Sequence, residues 1–410
     1  MLKTMVGGSS SNPFITQWKT DNAGTSTNVQ ITVPTVAAGT YNCVVDWGDN
    51  STSTITTFND AAWTHTYPAA GTYVVTIRGT FTGFRFAGGG DRLKILKVQK
   101  WGNVRFANQT QVFSACANLT ITATDIPNFT GSTTLANFFQ NCTSITSIPG
   151  FNSWNFVGIN SFSSFMAGCS SFNQDISGWN MSTASNMNGM FSSCVLFNAP
   201  IGSWNTANVN SMQTTLSGCI AFNQSLNAWN TSNVSNMLGT FSGATSYNQS
   251  MSNWNTALVT TFSQFLQNAT SFNQSLSNFN TALVTSMANM FMGATSFNQP
   301  LTNFNTANVV NMQNMFSGAT AFNQNIGSWN ITKLAVGGTG GTNMFLGVTL
   351  SNANYNGLLA GWGAQVPLTG VTFSGGNSHY DAVSGGFDGT AGRAVLTGTY
   401  SWTITDGGTP

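Results

Sequence analysis

Apolar side chains recur every 25 residues through the middle of the chain, in four parallel columns. The aromatic residue of a repeated Phe-Asn-Gln motif forms the first column: Phe172, Phe197, Phe222, Tyr247, Phe272, Phe297 and Phe322. Seven residues after each of these lies a second aromatic residue followed by Asn: Trp179, Trp204, Trp229, Trp254, Phe279, Phe304 and Trp329. Two further columns begin at Met187 and Met166. Such self-similarity indicates repeat units that bury their apolar sides against one another.

Each unit predicts one short helix and one short extended segment. The stretch 234–241 spaces its apolar residues at i, i+3, i+4 and i+7, which predicts one or two helical turns. The stretch 222–229 is short and rich in Asn, which favours an extended segment with a turn. We therefore predict an α/β solenoid similar to leucine-rich repeats, with parallel short strands and short helices, in about ten rungs over 108–362.

The fullest copy of the repeat, 229–249, reads Trp-Asn-Thr-Ser-Asn-Val-Ser-Asn-Met-Leu-Gly-Thr-Phe-Ser-Gly-Ala-Thr-Ser-Tyr-Asn-Gln. It resembles the repeat of the BspA-like leucine-rich-repeat surface proteins over about 108–362. Two departures are that Asn replaces the Asp common after Trp, and that Phe279 and Phe304 replace Trp. Members act as bacterial adhesins or surface-displayed binders and also occur in phage and protist genomes. The resemblance implies binding without naming a ligand.

The flanks of the repeats differ from the repeats themselves. Alternating segments such as 29–33 and 73–77 predict a small all-β sandwich over 1–90. Val45-Asp-Trp-Gly-Asp49 and the segment 65–77 resemble a PKD-type immunoglobulin-like domain, which is usually a spacer or attachment module. We expect an N-terminal cap or junction at 91–107. Residues 363–410 resemble the segment that closes such arrays in phage tail and bacterial surface proteins, which implies a C-terminal cap.

Charge is scarce in this chain. Charged residues make up 5% of it, there is no Glu, and the net charge is +1, while 41% of residues are hydrophobic. This composition favours β-rich extracellular or virion proteins over cytosolic enzymes. No stretch has the roughly 18 apolar residues of a membrane helix, so no membrane insertion is expected. The first ten residues have no apolar core of the length that a secretory signal requires.

Nine of the 11 basic residues lie at or before Arg105. Five of them form one dense group: Arg92, Lys94, Lys97, Lys100 and Arg105. This basic patch could dock an anionic partner such as lipopolysaccharide, nucleic acid or an acidic protein. We favour a charged solvent face that protects the edge of the first repeat strand, and we expect no nucleic acid partner.

The candidates for catalysis and metal binding are few. Cys116, Cys142, Cys169, Cys194 and Cys219 share one repeat position, where the next four units have Ala, which predicts a small buried side chain. No Cys-x-x-Cys pair is present, and we expect no metal and no cofactor. Asp46, Asp49 and Asp60 could bind calcium, but Asp-Trp-Gly-Asp favours a turn. Because 176–332 contains no charged residue and no His, we expect no enzyme activity.

A row of asparagines follows the second aromatic column: Asn180, Asn205, Asn230, Asn255, Asn280, Asn305 and Asn330. Their amides could bind glycan hydroxyls, or they could form a structural ladder, which we favour.

Our first functional hypothesis is a non-enzymatic phage virion surface protein, such as a tail-fibre, receptor-binding or decoration component. The alternatives are a bacterial cell-surface adhesin and a self-assembling capsid or filament subunit. The expected partners are a cell-surface receptor or glycan, other virion proteins, or further copies of the chain.

Overall fold

The structure, a computed structural model, describes residues 12–106 and 108–410. The chain divides into two compact units, Met1–Thr183 and Ala184–Pro410. The signal-free start expected at 1–10 lies outside the described residues. The predicted domain boundaries after 90, 107 and 362 stay predictions.

The described part of the first unit contains eight short strands. In chain order they are β1 (Phe14–Lys19), β2 (Gln30–Thr32), β3 (Tyr41–Asp46), β4 (Thr52–Ile55), β5 (Thr64–Thr66), β6 (Thr72–Phe81), β7 (Ile95–Lys100) and β8 (Thr120–Ile121). Single 3₁₀ turns lie at Ala61–Trp63 and Phe151–Ser153. Six of the strands form one mixed sheet in the order β4-β3-β6-β1-β7-β8, and β2 pairs with β5.

The order of the sheet explains its core. Strand β1 lies between β6 and β7 and pairs antiparallel with both, with Phe14 opposite Ile77. Alternate residues of β1 are buried, as the two-residue period of a strand requires, and Trp18 is fully buried. Strand β7 pairs parallel with β8, so the sheet continues past position 90, where the predicted sandwich ends.

Beyond β8 the first unit consists of turns, and so does most of the second. Within a 25-residue repeat, i→i+3 bonds close successive turns, as in Cys194 N–H to Phe191 O (2.9 Å) and Phe197 N–H to Cys194 O (3.1 Å). Between repeats, alternate N–H groups donate to carbonyls of the repeat that follows. The second unit has such bonds from Met187, Gly189, Phe191 and Ser193 to Ser211, Gln213, Thr215 and Ser217. Each repeat is therefore held to the next by its main chain.

The second unit ends in a small mixed segment. Helix α1 (Asn352–Gly363) is followed by β9 (Thr372–Ser374), α2 (Gly389–Ala394) and β10 (Thr403–Thr405). A 3₁₀ turn lies at Ser384–Gly386 and one π-helical turn at Val395–Thr399. Strands β9 and β10 pair in parallel. Asp406 accepts hydrogen bonds from the Tyr355 hydroxyl and from Arg393 Nε, both at 2.9 Å, which ties this segment to α1.

The predicted α/β solenoid of leucine-rich-repeat type, preceded by a separate sandwich, is wrong. Across the described residues, α-helix is confined to α1 and α2, and the repeats carry turns and isolated parallel bridges instead of a strand and a helix each. The regular structure is mostly strand, concentrated in the mixed six-stranded sheet of the first unit. The fold is β-rich with little helix.

The main chain explains why no helix forms at the helical-looking stretch. Because alternate N–H groups donate to the following repeat, they cannot make the i→i−4 bonds of a helix. Each repeat also has two residues of positive φ four positions apart, such as Gly189 (60°) and Ser193 (61°). A right-handed helix does not contain such residues. Tight turns place apolar residues at intervals of three and four, as a helix does.

The four apolar columns form the core of the repeats. Phe172 and Phe322, the ends of the first column, are 0% exposed, and Trp179 and Trp329, the ends of the second, are 3% and 1% exposed. The predicted small buried position is confirmed as well: Cys116 and Ala319, at its two ends, are 0% exposed. These aromatic residues are core, not a platform for sugars.

Candidate binding surface

The asparagine row that sequence analysis selected forms turns within each repeat. Every Oδ1 in the row accepts a hydrogen bond from the main-chain N–H two residues later, at 3.0–3.1 Å. This is the Asx-turn geometry that Asn favours. The side chains are exposed, and across the described residues their Nδ2 groups donate to no protein acceptor. The Oδ1 atom of each amide is therefore used in a turn, and its Nδ2 group is available to a ligand.

The ladder between repeats belongs to a different asparagine, that of the Phe-Asn-Gln motif. Asn248 Oδ1 accepts from Asn273 N–H and from Gln274 Nε2, both at 3.0 Å. The same pair of bonds recurs from Asn198, Asn223, Asn273 and Asn298 to the repeat that follows each of them. The recurrence of Asn followed by Gln, interrupted at Ala199, was the signal for this ladder, and sequence analysis missed it.

A second buried ladder uses the threonine of the Trp-Asn-Thr motif. Thr231 is 1% exposed, and its hydroxyl donates to the carbonyl oxygen of Asn255 in the next repeat at 2.9 Å. The hydroxyls of Thr206, Thr256, Thr281 and Thr306 make the equivalent bond. Part of the polar composition of the repeats is thus used between neighbouring repeats.

Several aliphatic side chains are exposed on the second unit, and two of them are leucines at one repeat position. Leu258 and Leu283 occupy equivalent positions of adjacent repeats and are 46% and 49% exposed. Neighbouring repeats have Asn there, and Asn233 Nδ2 and Asn308 Nδ2 donate to the carbonyls of Ala207 (2.7 Å) and Ala282 (2.9 Å). The leucines make no such bond.

Each of these leucines follows an asparagine of the exposed row by three residues. Asn255, Leu258, Asn280 and Leu283 are called the leucine–asparagine strip below. The two repeats that carry the strip are hydrogen-bonded through Thr285 N–H and Thr260 O at 3.0 Å, so equivalent side chains lie side by side. Sequence analysis missed the leucines, although Leu in a column of Asn was a visible signal.

The five basic residues do not form one surface patch. Lys94 is 0% exposed, and its Nζ donates to Ser26 Oγ and to the carbonyls of Ser26, Thr27 and Gln30 at 2.7–3.1 Å. Burial lowers the pKa of Lys94 despite the opposing effect of Asp91. Lys97 and Lys100 lie half-buried on β7, which is paired on both sides and so is no exposed edge. Arg92 is half-buried and Arg105 is exposed.

The cysteines and acidic residues have structural partners. The thiols of Cys142 and Cys219 donate to main-chain carbonyls at 3.0 Å, and no disulfide joins cysteines of the described chain. Asp46 accepts from Gly48 N–H at 3.0 Å in an Asx turn, and Asp60 caps the 3₁₀ turn that follows it. Among residues 12–106 and 108–410, no three His, Cys, Asp or Glu side chains are grouped to hold a metal.

One cluster in the first unit has the composition of a catalytic triad. His65 Nε2 lies 2.8 Å from Asp49 Oδ2, and the same nitrogen lies 3.4 Å from Ser51 Oγ. A working triad uses the two ring nitrogens for the two partners. Burial raises the pKa of Asp49, but hydrogen bonds from Ser51 and His65 outweigh it and hold the pKa below its ordinary value. The cluster therefore stabilises the Asp-Trp-Gly-Asp turn by hydrogen bonds.

The described residues contain no helix that has both the length and the apolar composition to cross a membrane. The geometry defines a class: a β-rich repeat protein whose turn-built units expose neutral amides, hydroxyls and scattered aliphatic side chains. The family model described as "Mycoplasma protein of unknown function, DUF285" matches residues 133–254 and 239–357, more than half of the chain, and the chain belongs to this family. No curated protein and no solved structure matches the chain.

Proposed function

We propose that the chain is a non-enzymatic adhesion protein that binds a neutral saccharide through the leucine–asparagine strip. The observation that carries the proposal is the pair of half-exposed leucines, Leu258 and Leu283, at positions where neighbouring repeats have hydrogen-bonded Asn. Single exposed apolar residues are ordinary on a protein surface, but a paired substitution that forgoes two hydrogen bonds has a cost to stability. Ligand binding would explain why this pair of leucines is present despite the cost to stability.

The chemistry of the strip matches a pyranose ring. The C–H face of a sugar packs on aliphatic side chains, and the hydroxyls at its edge accept hydrogen bonds from amide N–H groups. Asn255 and Asn280 offer Nδ2 donors beside the leucines, and the Asx turns fix their orientation. Fixed donors lose little conformational entropy on binding. Main-chain bonds between repeats hold the side chains about 4.8 Å apart.

The charge of this region favours a neutral ligand. No charged residue and no His occurs between Asp175 and Lys333. An anionic or cationic polymer would meet no opposite charge on these repeats. Acid–base catalysis needs a side chain that titrates near the working pH, and the lack of charged residues and His in these repeats therefore favours binding over catalysis.

A glycan array tests the proposal. We expect the purified protein to retain at least one neutral oligosaccharide, with binding that changes little between low and high salt because no ion pair is involved. Retention of charged glycans alone, or of none, would overturn it. Sedimentation tests the self-assembling alternative: a concentration-dependent oligomer that Leu258→Asn and Leu283→Asn dissociate would favour that alternative.

The setting we propose first is a virion surface, as a tail-fibre, receptor-binding or decoration component. The bacterial cell surface is the second candidate, favoured by the family description, which names the bacterial genus Mycoplasma. Immunogold electron microscopy of the native source separates the two. Label on virion tails or heads would support the first setting, and label on the cell envelope would replace it with the second.

A further inference from the structure

The first unit carries two adjoining open clefts, which together are called the groove below. One cleft, of about 670 Å³, is lined by residues of β3 and β6 together with Asn103, Arg105 and Asn128. The second, of about 550 Å³, is lined by 127–133, Asn155, Val157 and Gly158. Asn128 lines both, so the clefts lie next to each other. Each volume lies in the range of about 300–1,000 Å³ that is typical of small-molecule sites.

Parallel bridges hold the groove together. Thr82 bridges Arg105, and Arg105 bridges Asn128, so three successive chain segments lie side by side across it. The Arg105 main chain donates to Phe81 O at 3.3 Å and accepts from Gly83 N–H at 3.4 Å. The main chain that carries Arg105 is thus fixed by the sheet. The side chain extends from a rigid support.

Arg105 has an unneutralised charge. No other residue that lines either cleft is charged. Within the part of the chain that the structure describes, no acidic side chain lies within 4.0 Å of its guanidinium. The carboxylate of Asp125 accepts instead from the N–H groups of Trp101 and Gly102, at 3.0 and 2.7 Å. Arg105 can therefore pair with a ligand carboxylate in the two-point geometry of a guanidinium.

The remaining lining mixes neutral hydrogen-bonding groups with apolar residues such as Phe129 and Val157. Asn42, Thr80 and Asn103 are exposed in the first cleft, and Asn155 and Thr130 in the second. The Oδ1 atom of Asn128 accepts from Thr130 N–H at 2.9 Å, which leaves its Nδ2 group directed to other acceptors. Such a surface suits a ligand rich in hydroxyl groups.

The floor of the first cleft is built around Gly79. Its φ is +105°, and a Cβ there would collide with the carbonyl oxygen of Asn42 on β3. A glycine inside a strand marks a close approach of main chains. Because Gly79 has no side chain, the floor of the cleft between Asn42 and Thr80 is main chain. The pairing of β3 with β6 therefore forms this part of the cleft.

We propose that this groove binds an acidic oligosaccharide, with Arg105 paired to a sugar carboxylate and the surrounding amides and hydroxyls bound to its hydroxyl groups. A nucleic acid or other polyphosphate is a poorer match, because one cation cannot neutralise successive phosphates. The site lies in the first unit and is independent of the neutral strip of the second. The chain would then recognise two kinds of saccharide.

Isothermal titration calorimetry of the full chain with trigalacturonate tests this inference, and its methyl ester serves as the matched neutral probe. We expect the acid to bind at least about tenfold more tightly than the ester, since a charge-assisted hydrogen bond contributes that much. Arg105→Gln should reduce acid binding to the level of the ester. Asn128→Asp keeps the turn acceptor but adds a negative charge, and should weaken acid binding by about tenfold as well.

The control is Arg78→Gln, which removes the same charge from an exposed position on β6 outside the groove. It should leave acid affinity within about twofold of the wild type. Equal losses in Arg78→Gln and Arg105→Gln, equal affinity for acid and ester, tighter binding of a single-stranded oligonucleotide, or no acid binding would each overturn the inference. Loss of neutral-glycan binding with acid binding retained would instead count against the strip alone.

Discussion

The side-chain amide of Asn278 donates to the main-chain carbonyl of Met251 at 3.0 Å. In other repeats, the equivalent carbonyl accepts a hydrogen bond from a Trp indole instead. Trp254 Nε1 donates to Leu226 O, 28 residues earlier, at 2.9 Å. Where Phe replaces Trp at position 279, the indole N–H is absent, and the preceding Asn supplies the donor. Asn303, which precedes Phe304, makes the same bond to Leu276 O at 3.1 Å. The two departures from the Trp pattern are therefore compensated.

We expect Asn278→Ser to destabilise the second unit by about 1–2 kcal/mol, because it leaves the carbonyls of Met251 and Trp254 without the Asn278 donor. Adding Phe279→Trp should restore part of this free energy of unfolding, since an indole there can donate to the Met251 carbonyl, and Ser followed by Trp occurs naturally at 203–204 and 328–329. Urea denaturation of the single and double variants measures both values. A double variant no more stable than Asn278→Ser would contradict the compensation.

Thr214 adopts a left-handed conformation that β-branched residues rarely adopt, with φ of +50°. The equivalent residues Gly189, Gly239 and Asn289 are types that tolerate it. We expect Thr214→Asn to stabilise the protein by roughly 1 kcal/mol through relief of this strain. Thr214→Ser, which is not branched but is less suited than Asn, should gain less. Thermal unfolding of both variants tests the order, and a destabilised Thr214→Asn would contradict it.

The buried thiols should be unreactive in the native state. Burial raises the pKa of Cys169 to about 12 and holds the pKa of Cys142 well above the ordinary range, so almost no thiolate forms at pH 8. Ellman's reagent should label Cys142, Cys169 and Cys219 only after denaturation. Fast native labelling would contradict this placement.

Cys219→Ala should cost about 1 kcal/mol because Ala244 fills the next equivalent position, whereas Cys219→Val should cost about 1–3 kcal/mol by overpacking.

The C-terminal segment should lose stability in acid through Asp381. The Ser384 hydroxyl and main-chain N–H, the Asn352 amide and the Val383 N–H donate to this carboxylate and hold its pKa well below the ordinary value. A lowered folded-state pKa gives stability that is present above the unfolded-state pKa of about 4 and is lost as pH falls further. The difference in melting temperature between wild type and Asp381→Asn should therefore shrink between pH 7 and pH 2.5. A constant difference would exclude Asp381 as the cause.

The sequence predicted the interval of the repeats and their buried columns, because both depend only on the spacing of apolar side chains. It did not predict their local structure, since i→i+3 turns and a helical turn place apolar residues at the same intervals. The distinguishing signal was the recurrence of Gly, Asn and Ser at positions such as 189 and 193, where φ is positive. That signal is conformational and is weaker than hydrophobic spacing.

The candidate sites were predicted less well. Asn255 and Asn280 were selected as possible ligands, but the leucines beside them were not, and the inter-repeat ladder belongs to Asn248 and its equivalents. Arg105 was selected with Lys94, although one is exposed and the other is enclosed by four oxygen atoms. Lys94 lies in the turn before β7, and a linear pattern of charge does not tell which side chains a turn directs inward.

Binding of the neutral glycan that the array selects, compared between the wild type and Leu258→Asn/Leu283→Asn, tests the central claim most directly. The double variant copies neighbouring repeats, so its fold should be kept, and loss of the apolar contact should weaken binding by at least about tenfold. Leu196→Ser is the control, because Leu196 is 54% exposed elsewhere on the second unit and Ser occupies its equivalent position in later repeats. The account predicts that only the double variant loses affinity in interferometry. Undiminished binding by the double variant would contradict it.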